Sequence, residues 1–561
     1  MTMTCLNNRK NDSFILSTID ELVPLDHKVR ELEEAIDWNF IYPLVRPLYS
    51  SHGRPSIDPV VLFKMIFINF TFGIHSMRRT CEEIKVNLAY RWFLGLSIED
   101  EVPNYSTWSQ NYIRRYGDSE VFDCIFNRII EEAITYDFVD LDTIFGDGTH
   151  RKAHANNRKH NHKVVEITKK YYDDELLEEI NKDRQSHNKK PLKETKDIEL
   201  IYDENTGELI EGKGTKMIKV SQTDPESGCF HKGEKQKCFA YTNLTFCERH
   251  GFVLHNTVAP GNMHDSVIFH DAYQKLKKQY GEYIQNISLD AGFFTPAICR
   301  EVIEDGVTPY LPYKRPMTKK GFLKKYEYVY DEKLDIYICP NIKELKYTTT
   351  NKSGYKEYKS NPKDCENCPY LNQCTQSQKH QKVIMRHIWE EYREEADEIR
   401  HTPKWKEIYP QRKETIERVY ADCKEKHGLR FTRVKGLQKN QHESLIIFGC
   451  HNLSKLARMK KRRGMIKPSS TKKTDNQENK NNESDYIFIK KYICIRKVVD
   501  FIRFLPLCQQ SEHAKACLKI VAFLMLIKQF LIFDNILQYG QHEHQYVQNL
   551  LKLLYKEHCF L

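Results

Sequence analysis

The sequence has no long, uninterrupted apolar run, either at its start or elsewhere. The opening residues, MTMTCLNNRKNDSFILSTIDELVPLD, do not resemble a secretory signal, because such a signal needs an apolar core. Near the C-terminus, LKIVAFLMLIKQFLIF is interrupted by Lys528 and Gln529, whereas a membrane-spanning helix needs about 20 largely apolar residues. The 17 cysteines are odd in number and mostly scattered, which argues against a disulfide framework. We therefore expect a cytoplasmic protein with reduced thiols and no membrane partner.

Length and charge set broader limits. A chain of 561 residues is too long for one ordinary core, and roughly three or four domains are expected. A hydrophobic content of 40% is enough for several cores, and the net charge of +10 favours a polyanionic partner such as nucleic acid. Because the positive excess is mild for this length, motifs have to decide whether nucleic acid is bound.

Residues 53 to 116 predict a helical unit. Asp58 can cap a helix that has Pro59 at its first position, and further helices are predicted to begin at Ser76 and Ser106. Arg114 and Arg115 lie near the end of the third helix. The unit can be a helix-turn-helix-like module that enters the major groove, or an ordinary helical bundle with solvated arginines.

Two aspartates are predicted at the ends of strands. The segment VDLDTIFGDGTH predicts a strand that ends at Gly146-Asp147-Gly148, and EYIQNISLDAGFF predicts another that ends at Asp290. A hairpin around ERHG and a helix lie between them in the sequence, while the polar residues 156 to 235 predict a helical or partly disordered insertion. Side chains at such strand ends can converge on one rim of a mixed sheet.

A strongly periodic helix near residue 417 supplies a third carboxylate. In ETIERVYADCKEKHG, the residues Glu417 and Lys424 lie two turns apart on roughly one face. Two aspartates and a glutamate, from two strands and a helix, form a ligand set for a pair of hard divalent cations. His264 and Asp265 could form a second metal or acid-base pair, but GNMHDS is better interpreted as a helix start that Asp265 or Ser266 caps.

Several of these segments resemble one known family. DGTHRKAHANNRK, APGNMHDS, LDAGFF and RKETIERVYADCKEKHGLRFTRVKGLQK are similar to DDE transposases of bacterial insertion sequences, of the long type with a helical N-terminal domain and a cysteine cluster before the last acidic residue. The resemblance covers roughly residues 15 to 460. It implies a mixed α/β fold: an RNase H-like catalytic core, a helical N-terminal DNA-binding domain and a Cys-containing insertion.

The resemblance also implies a site and a reaction. Asp147, Asp290 and Glu417 would be the catalytic triad that binds Mg²⁺ (or Mn²⁺). The enzyme would cut the ends of a mobile element and join the freed 3′ hydroxyl to target DNA. Its expected partner is double-stranded DNA, both element ends and target, and we expect it to act as a homodimer or larger assembly in the cytoplasm, associated with the nucleoid.

The segment before the glutamate departs from the family pattern. Lys413 and Pro410 stand where the family has arginine and tyrosine, and Arg412 and Tyr409 each come one residue early. That shift leaves Glu414 as a rival third ligand. Glu417 is preferred because only its register fits Lys424, which would contact transposon-end phosphates.

Other basic residues and a cysteine cluster complete the predicted sites. Arg430, Arg433, Lys435 and Lys439 would bind phosphates rather than read bases, the alternative being a solvated basic face. Cys365 and Cys368 form a CxxC pair and, with Cys339 and Cys374, could hold a structural Zn²⁺. Unmetalled thiols and an iron-sulfur cluster are the alternatives.

We assign domain boundaries from these patterns. They are a helical N-terminal DNA-binding domain (15–118), core segments (119–155, 236–307 and 406–464), a charged insertion (156–235), a β-like cysteine-cluster insertion (308–405), a linker (465–485) and a helical appendage of unknown role (486–561). Two other functions remain open: a transposase-derived DNA-binding protein that no longer cuts, and a stand-alone nuclease of RNase H type.

Overall fold

The computed structural model describes residues 16–50, 52–53, 56–166, 171–192, 201–202, 209–210, 215–232, 236–314 and 318–466. These residues form a mixed α/β fold with a helical N-terminal region, as the sequence predicts. The predicted linker beyond Ile466 and the whole of the predicted appendage lie outside the described residues. Among the helices in the described ranges, none is both long enough and apolar enough to cross a membrane.

The N-terminal region is helical up to residue 135. Asp58 accepts a hydrogen bond from the amide of Val60 and so starts the predicted helix at Pro59. The helix predicted from Ser76 is instead two helices, because the side chain of Asn87 accepts amide hydrogen bonds that start a new one. The helices are α1 (Ile19–Leu22), α2 (Lys28–Ala35), α3 (Ile41–Val45), α4 (Pro59–Thr71), α5 (Met77–Val86), α6 (Leu88–Leu94), α7 (Tyr105–Asn111) and α8 (Val121–Thr135).

The next part of the chain forms the main sheet. Its strands and helices, together with a separate two-stranded pair (β3 and β4), are β1 (Thr143–Lys152), β2 (His160–Glu166), α9 (Asp173–Ser186), β3 (Ile201–Tyr202), β4 (Leu209–Ile210), β5 (Thr215–Ser221), β6 (Gly228–Lys232), β7 (Gln236–Glu248), β8 (Val253–Pro260), α10 (Asp265–Tyr280), β9 (Asn286–Ser288), α11 (Pro296–Glu304) and β10 (Thr308–Tyr310).

The main sheet has eight strands in the order β10-β9-β1-β7-β6-β5-β2, and β8 also pairs with β7. The pairs β1/β9 and β9/β10 are parallel, while β1/β7 and the predicted hairpin β7/β8 are antiparallel. The prediction of a helical or partly disordered insertion over 156–235 needs correcting, because β2, β5 and β6 extend the sheet. Their pairings join residues far apart in sequence, such as His162 and Lys219, which a local pattern cannot reveal.

Strand β1 does not end at the glycines that flank Asp147, as the sequence predicted. It continues to Lys152, because β7 pairs with it from Ile144 to Lys152 and keeps it extended. Beyond the glycines, the buried Arg151 forms an ion pair with Glu443, with 2.5 Å between Arg151 Nη2 and Glu443 Oε2. Asp147 therefore lies in the middle of a long strand that is held at both ends.

The described residues from 311 to 408 form a second sheet and the helices around it, whereas β10, at the start of the predicted insertion, belongs to the main sheet. A small core of their own contains Tyr328, Tyr337, Leu345, Tyr358 and Ile384. The segment begins and ends close to one point, since Trp405 Nε1 donates to the carbonyl of Leu311 over 2.9 Å. The elements are β11 (Val329–Asp331), β12 (Ile336–Ile338), β13 (Glu344–Thr350), β14 (Tyr355–Ser360), α12 (Pro362–Cys365), α13 (Leu371–Cys374), β15 (Val383–His387), α14 (Glu390–Ile399) and α15 (Pro403–Ile408).

Two helices complete the described chain, α16 (Ile416–Lys426) and α17 (Leu437–Arg462). Helix α17 is 26 residues long, largely buried, and packs against α2, α4, α8 and β8. One hydrophobic cluster consequently runs from Val23 to Ala457 and joins the N-terminal helices to the main sheet. The predicted boundary at residue 118 stays a prediction, but the helices before it share their core with the sheet.

Candidate active site

The register of the parallel strands brings Asp147 and Asp290 to the same rim. Phe145 of β1 pairs with Ser288 of β9, and each aspartate lies two residues beyond that pair. Asp147 remains in β1, whereas Asp290 follows β9 and begins a short 3₁₀ turn without capping it. Asp290 is exposed and Asp147 half-buried, so both carboxylates can be reached from outside.

Arg412 ties these two strands together. Its Nη1 donates to the carbonyls of Gly146 at 2.8 Å and Ser288 at 3.1 Å, and its Nη2 lies 3.4 Å from Asp147 Oδ1. The neighbouring Lys413 is exposed. Residues Tyr409–Lys413 form a 3₁₀ helix, whose tighter turn directs Arg412 into the core before α16 begins. Position 412, rather than 413, therefore supplies the arginine of the site.

Helix α16 is hydrogen-bonded directly to β1. Tyr420 Oη donates to the carbonyl oxygen of Asp147 over 2.5 Å, and Lys424 Nζ donates to Thr149 Oγ1 over 2.6 Å. The apolar face that the sequence predicts for this helix is buried and comprises Ile416, Val419, Tyr420 and Cys423. Glu417 lies about one turn before Tyr420 and is exposed. Lys424, predicted to bind phosphates, thus contacts the strand that carries Asp147.

The charges around the site affect Asp147 and the neighbouring Tyr409. Burial raises the pKa of Asp147 to about 6; Arg412 lowers it, and the carboxylate of Asp290 raises it further. Burial also raises the pKa of Tyr409, and the charges of Asp290, Glu417 and Asp147 raise it too. All three carboxylates therefore lie close enough to Tyr409 to affect its pKa. Glu414, the rival third ligand, is exposed at the end of the 3₁₀ helix.

Asp265 lies at this site, although the sequence favoured a helix cap over a second metal or acid-base pair. The cap of α10 is His264, whose Nδ1 accepts from the amide of Ser266 over 3.2 Å. The Asp265 carboxylate rests against Gly148, where a Cβ would come within 2.6 Å of Asp265 Oδ2. The signal available in the sequence was the glycine after Asp147, which leaves room for a neighbour.

The donor chemistry fits a hard divalent cation. Carboxylate oxygens are the ligands such ions prefer, and Asp265 Oδ1 is buried without a hydrogen-bond partner among the described residues. In the part of the chain that the structure describes, no three His, Cys, Asp or Glu side chains are gathered closely enough to hold a metal ion.

Two segments of the chain match known family models. Residues 17–114 match the model described as Transposase domain (DUF772), and residues 338–457 match the model described as Transposase DDE domain. Together the two matches support a DDE transposase of the insertion-sequence type, although they cover less than half of the chain. Its matched segments contain the N-terminal helices, the cysteine cluster and Glu417, while Asp147 and Asp290 lie between them. Among curated proteins, none matches the chain.

The matched domains support a DNA transposase, and such domains imply DNA binding, DNA cutting and a divalent metal cofactor. The residues that are predicted to bind DNA phosphates differ in how accessible their side chains are. Lys435, Lys439, Arg114 and Arg430 are exposed, and Arg430 forms an ion pair with Glu425.

Two predicted DNA-binding arginines are engaged within the protein. Arg433 is directed inward, because its Nη1 donates to Asn69 Oδ1 at 2.6 Å and to the carbonyl of Ile74 at 2.8 Å. Burial lowers the pKa of Arg433, and its hydrogen bonds join the α16–α17 loop to the N-terminal helices; its phosphate contact stays a prediction. Arg115 donates to Asn111 and stacks over Tyr49.

The four cysteines of the predicted zinc site line one small cavity beside the second sheet. Cys365 Sγ donates to Ser360 Oγ over 3.3 Å, and the amide of Lys343 donates to Cys339 Sγ over 3.4 Å. Burial raises the pKa of Cys365, and so do the neighbouring Cys374, Cys368 and Cys339. The thiols therefore lie near one another, but in the described structure they do not form a closed set of metal ligands.

Proposed function

We propose that this protein is a transposase that cuts the ends of its own mobile element and joins the freed 3′ end to target DNA. Asp147, Asp290 and Glu417 would be its catalytic residues. One observation carries the proposal: Tyr420 of α16 donates to the backbone of Asp147 itself. That hydrogen bond couples the helix bearing Glu417 to the strand bearing Asp147, while the β1/β9 register sets Asp290 beside it.

The core is proposed to be RNase H-like. Supporting this, five strands lie in the order β8-β7-β1-β9-β10, the first three antiparallel and the last two parallel to β1. Helices α10 and α11 come from the connections between them, and α16 contacts β1. Such a core presents carboxylates from two neighbouring strands and one helix at a single rim.

Each residue has a proposed task. When bound, Mg²⁺ or Mn²⁺ would activate the attacking oxygen and neutralise the charge of the phosphodiester. Asp147, Asp290 and Glu417 would hold the cation. Arg412 would keep the two strands aligned, and Lys424, held by Thr149, would direct its charge to the DNA backbone.

DNA cleavage by the purified chain tests the proposal. The substrates would be labelled duplexes from the DNA that flanks the coding sequence and random duplexes of equal length, with Mg²⁺ or Mn²⁺. Wild type should nick the flanking duplex, whereas Asp147→Asn and Asp290→Asn should bind it without cutting. Asp364→Asn, an exposed residue of α12, serves as the control and should cut normally.

Other outcomes would contradict the proposal. Equal cutting of random duplexes would identify a stand-alone nuclease, and binding without cutting under any divalent cation would identify an inactive DNA-binding derivative. The homodimer and the structural zinc remain predictions that this experiment does not address.

A further inference from the structure

The Asp265 carboxylate lies on β1 next to Asp147, and the predicted triad gives it no role. A Cβ at Gly148 would lie 2.6 Å from Asp265 Oδ2 and 2.8 Å from Oδ1. Any larger residue at 148 would force the carboxylate away. Glycine at this position is thus what allows helix α10 to bring a fourth acidic group to the strand of Asp147.

Starting the helix does not explain this placement. His264 provides the cap, and Asp265 is the first residue of the 16-residue α10. An acidic residue there interacts favourably with the helix dipole, but an exposed carboxylate would do so equally well. Instead, Asp265 Oδ1 is buried and, within the described residues, accepts no hydrogen bond. A buried carboxylate oxygen without a partner is costly unless a cation compensates the charge or the group takes up a proton.

The neighbouring charges do not provide that compensation. Burial raises the pKa of Asp265, the nearby Asp290 raises it further, and His264 lowers it. Asp265 also contributes to the raised pKa of Asp147. The guanidinium of Arg412 pairs with Asp147 and with two carbonyls. One arginine cannot balance four carboxylates, whereas divalent cations can.

We propose that Asp265 is a fourth carboxylate of the metal site and shares the charge of the cation with Asp147, Asp290 and Glu417. This inference rests on the proposed function, because it assigns another residue to the same site. Gly148 then has a defined role in the site. Because it has no side chain, the carboxylate of Asp265 can lie against β1.

Mn²⁺ binding to the full chain tests the inference without relying on DNA cleavage. Free Mn²⁺ would be followed by electron paramagnetic resonance, and melting temperatures measured with and without the ion. Asp265→Asn should weaken Mn²⁺ binding about tenfold or more and reduce the rise in melting temperature that Mn²⁺ causes. Its metal-free melting temperature should equal or exceed that of wild type. The control Asp271→Asn, an exposed acid of the same helix, should match wild type.

A second variant tests the same contact while keeping the Asp265 carboxylate. Gly148→Ala should displace Asp265 and weaken Mn²⁺ binding, and the two effects should not add in the double variant Gly148→Ala/Asp265→Asn. Additive effects would mean that Gly148 and Asp265 act separately, which would overturn the inference.

The remaining outcomes separate this inference from the proposed function. If Asp147→Asn loses Mn²⁺ binding while Asp265→Asn keeps it, Asp265 is not part of the metal site and the triad stands. If Asp147→Asn also binds Mn²⁺ like wild type, or wild type binds none, the proposed function itself fails. Unchanged Mn²⁺ binding with a lower metal-free melting temperature would identify Asp265 as a residue that only stabilises the helix.

Discussion

The acidic site of the main sheet and the cysteine cluster of the second sheet are held together in different ways. Asp147 and Asp290 lie on neighbouring strands of the large shared core, and Arg412 and Tyr420 fix them from another part of the chain. The cysteines come from loops and two short helices around a small core. Packing therefore positions the carboxylates, whereas the thiols depend much more on local chain contacts.

Charge distinguishes the two sites further. Burial is the main cause of the raised pKa of Asp147 and the charge of Asp290 adds to it, while the buried Arg412 opposes both. Burial, together with the neighbouring cysteines, raises the pKa of Cys365 and so favours the neutral thiol. An acidic site assembled by the fold should survive metal removal, whereas a cysteine cluster in a small core should not. The following experiments test that difference.

The largest effect is expected at the third carboxylate. Glu417→Gln should reduce DNA cleavage about a thousandfold, because a lost metal ligand costs several kcal/mol of transition-state stabilisation. Glu414→Gln should cut within about twofold of wild type, as expected of an exposed residue outside the site. Rates on the flanking duplex would be measured for both variants. The reverse result would make Glu414 the ligand and move the site off the face of α16.

Arg412 provides the second test. Arg412→Met should lower the free energy of unfolding by about 3 kcal/mol, since Gly146 and Ser288 lose a buried donor and Asp147 loses its counter-charge. Lys413→Met is the matched control and should change little, because Lys413 is exposed. Urea denaturation in EDTA measures both. Equal losses would show that the arginine does not hold the acidic site together.

The pH dependence of metal-free stability gives a smaller effect. The pKa of Asp147 rises from 3.8 to about 6 on folding, so the folded state binds the proton more tightly. The free energy of unfolding should therefore fall as pH rises from about 4 to about 6, by up to roughly 2 kcal/mol for this residue. Urea denaturation across that range in EDTA should show a shallower slope for Asp147→Asn. An identical slope would mean that another group titrates there.

The smallest global effect is expected at the cysteines. Replacing Cys365 and Cys368 by serine should abolish any zinc content and increase hydrogen exchange in β11 to β15, while the global free energy of unfolding stays nearly unchanged. Mn²⁺ binding should also be unaffected. Cys124→Ser, in helix α8, is the control. If wild type contains no zinc and the exchange is unaltered, the thiols are unmetalled and the second sheet needs no metal.

Local signals predicted much of the fold. The Asp58-Pro59 pair predicted the start of α4, the ERHG turn predicted the β7/β8 hairpin, and the periodic pattern around Val419 predicted α16. Each of these depends on residues close in sequence. The strands of the charged insertion were missed because their partners are distant and their composition is polar.

The acidic site shows the same limit. The sequence indicated Asp147, Asp290 and Glu417, and the β1/β9 register and the Tyr420 contact now support those choices without testing their catalytic roles. The sequence could not reveal that a 3₁₀ turn directs Arg412 inward, or that α10 places the Asp265 carboxylate against Gly148. Both depend on how a helix meets a strand that is remote in sequence.

The hydrogen bond between Trp405 and Leu311 has a consequence for chain length. Leu311 and Trp405 are in contact although 94 positions separate them, so the separation of Asp290 and Glu417 along the chain does not set their separation in space. Loops of the second sheet could gain or lose residues without changing the span that α16 has to cover. The second sheet can thus change in size as a module while the site on the first sheet stays the same.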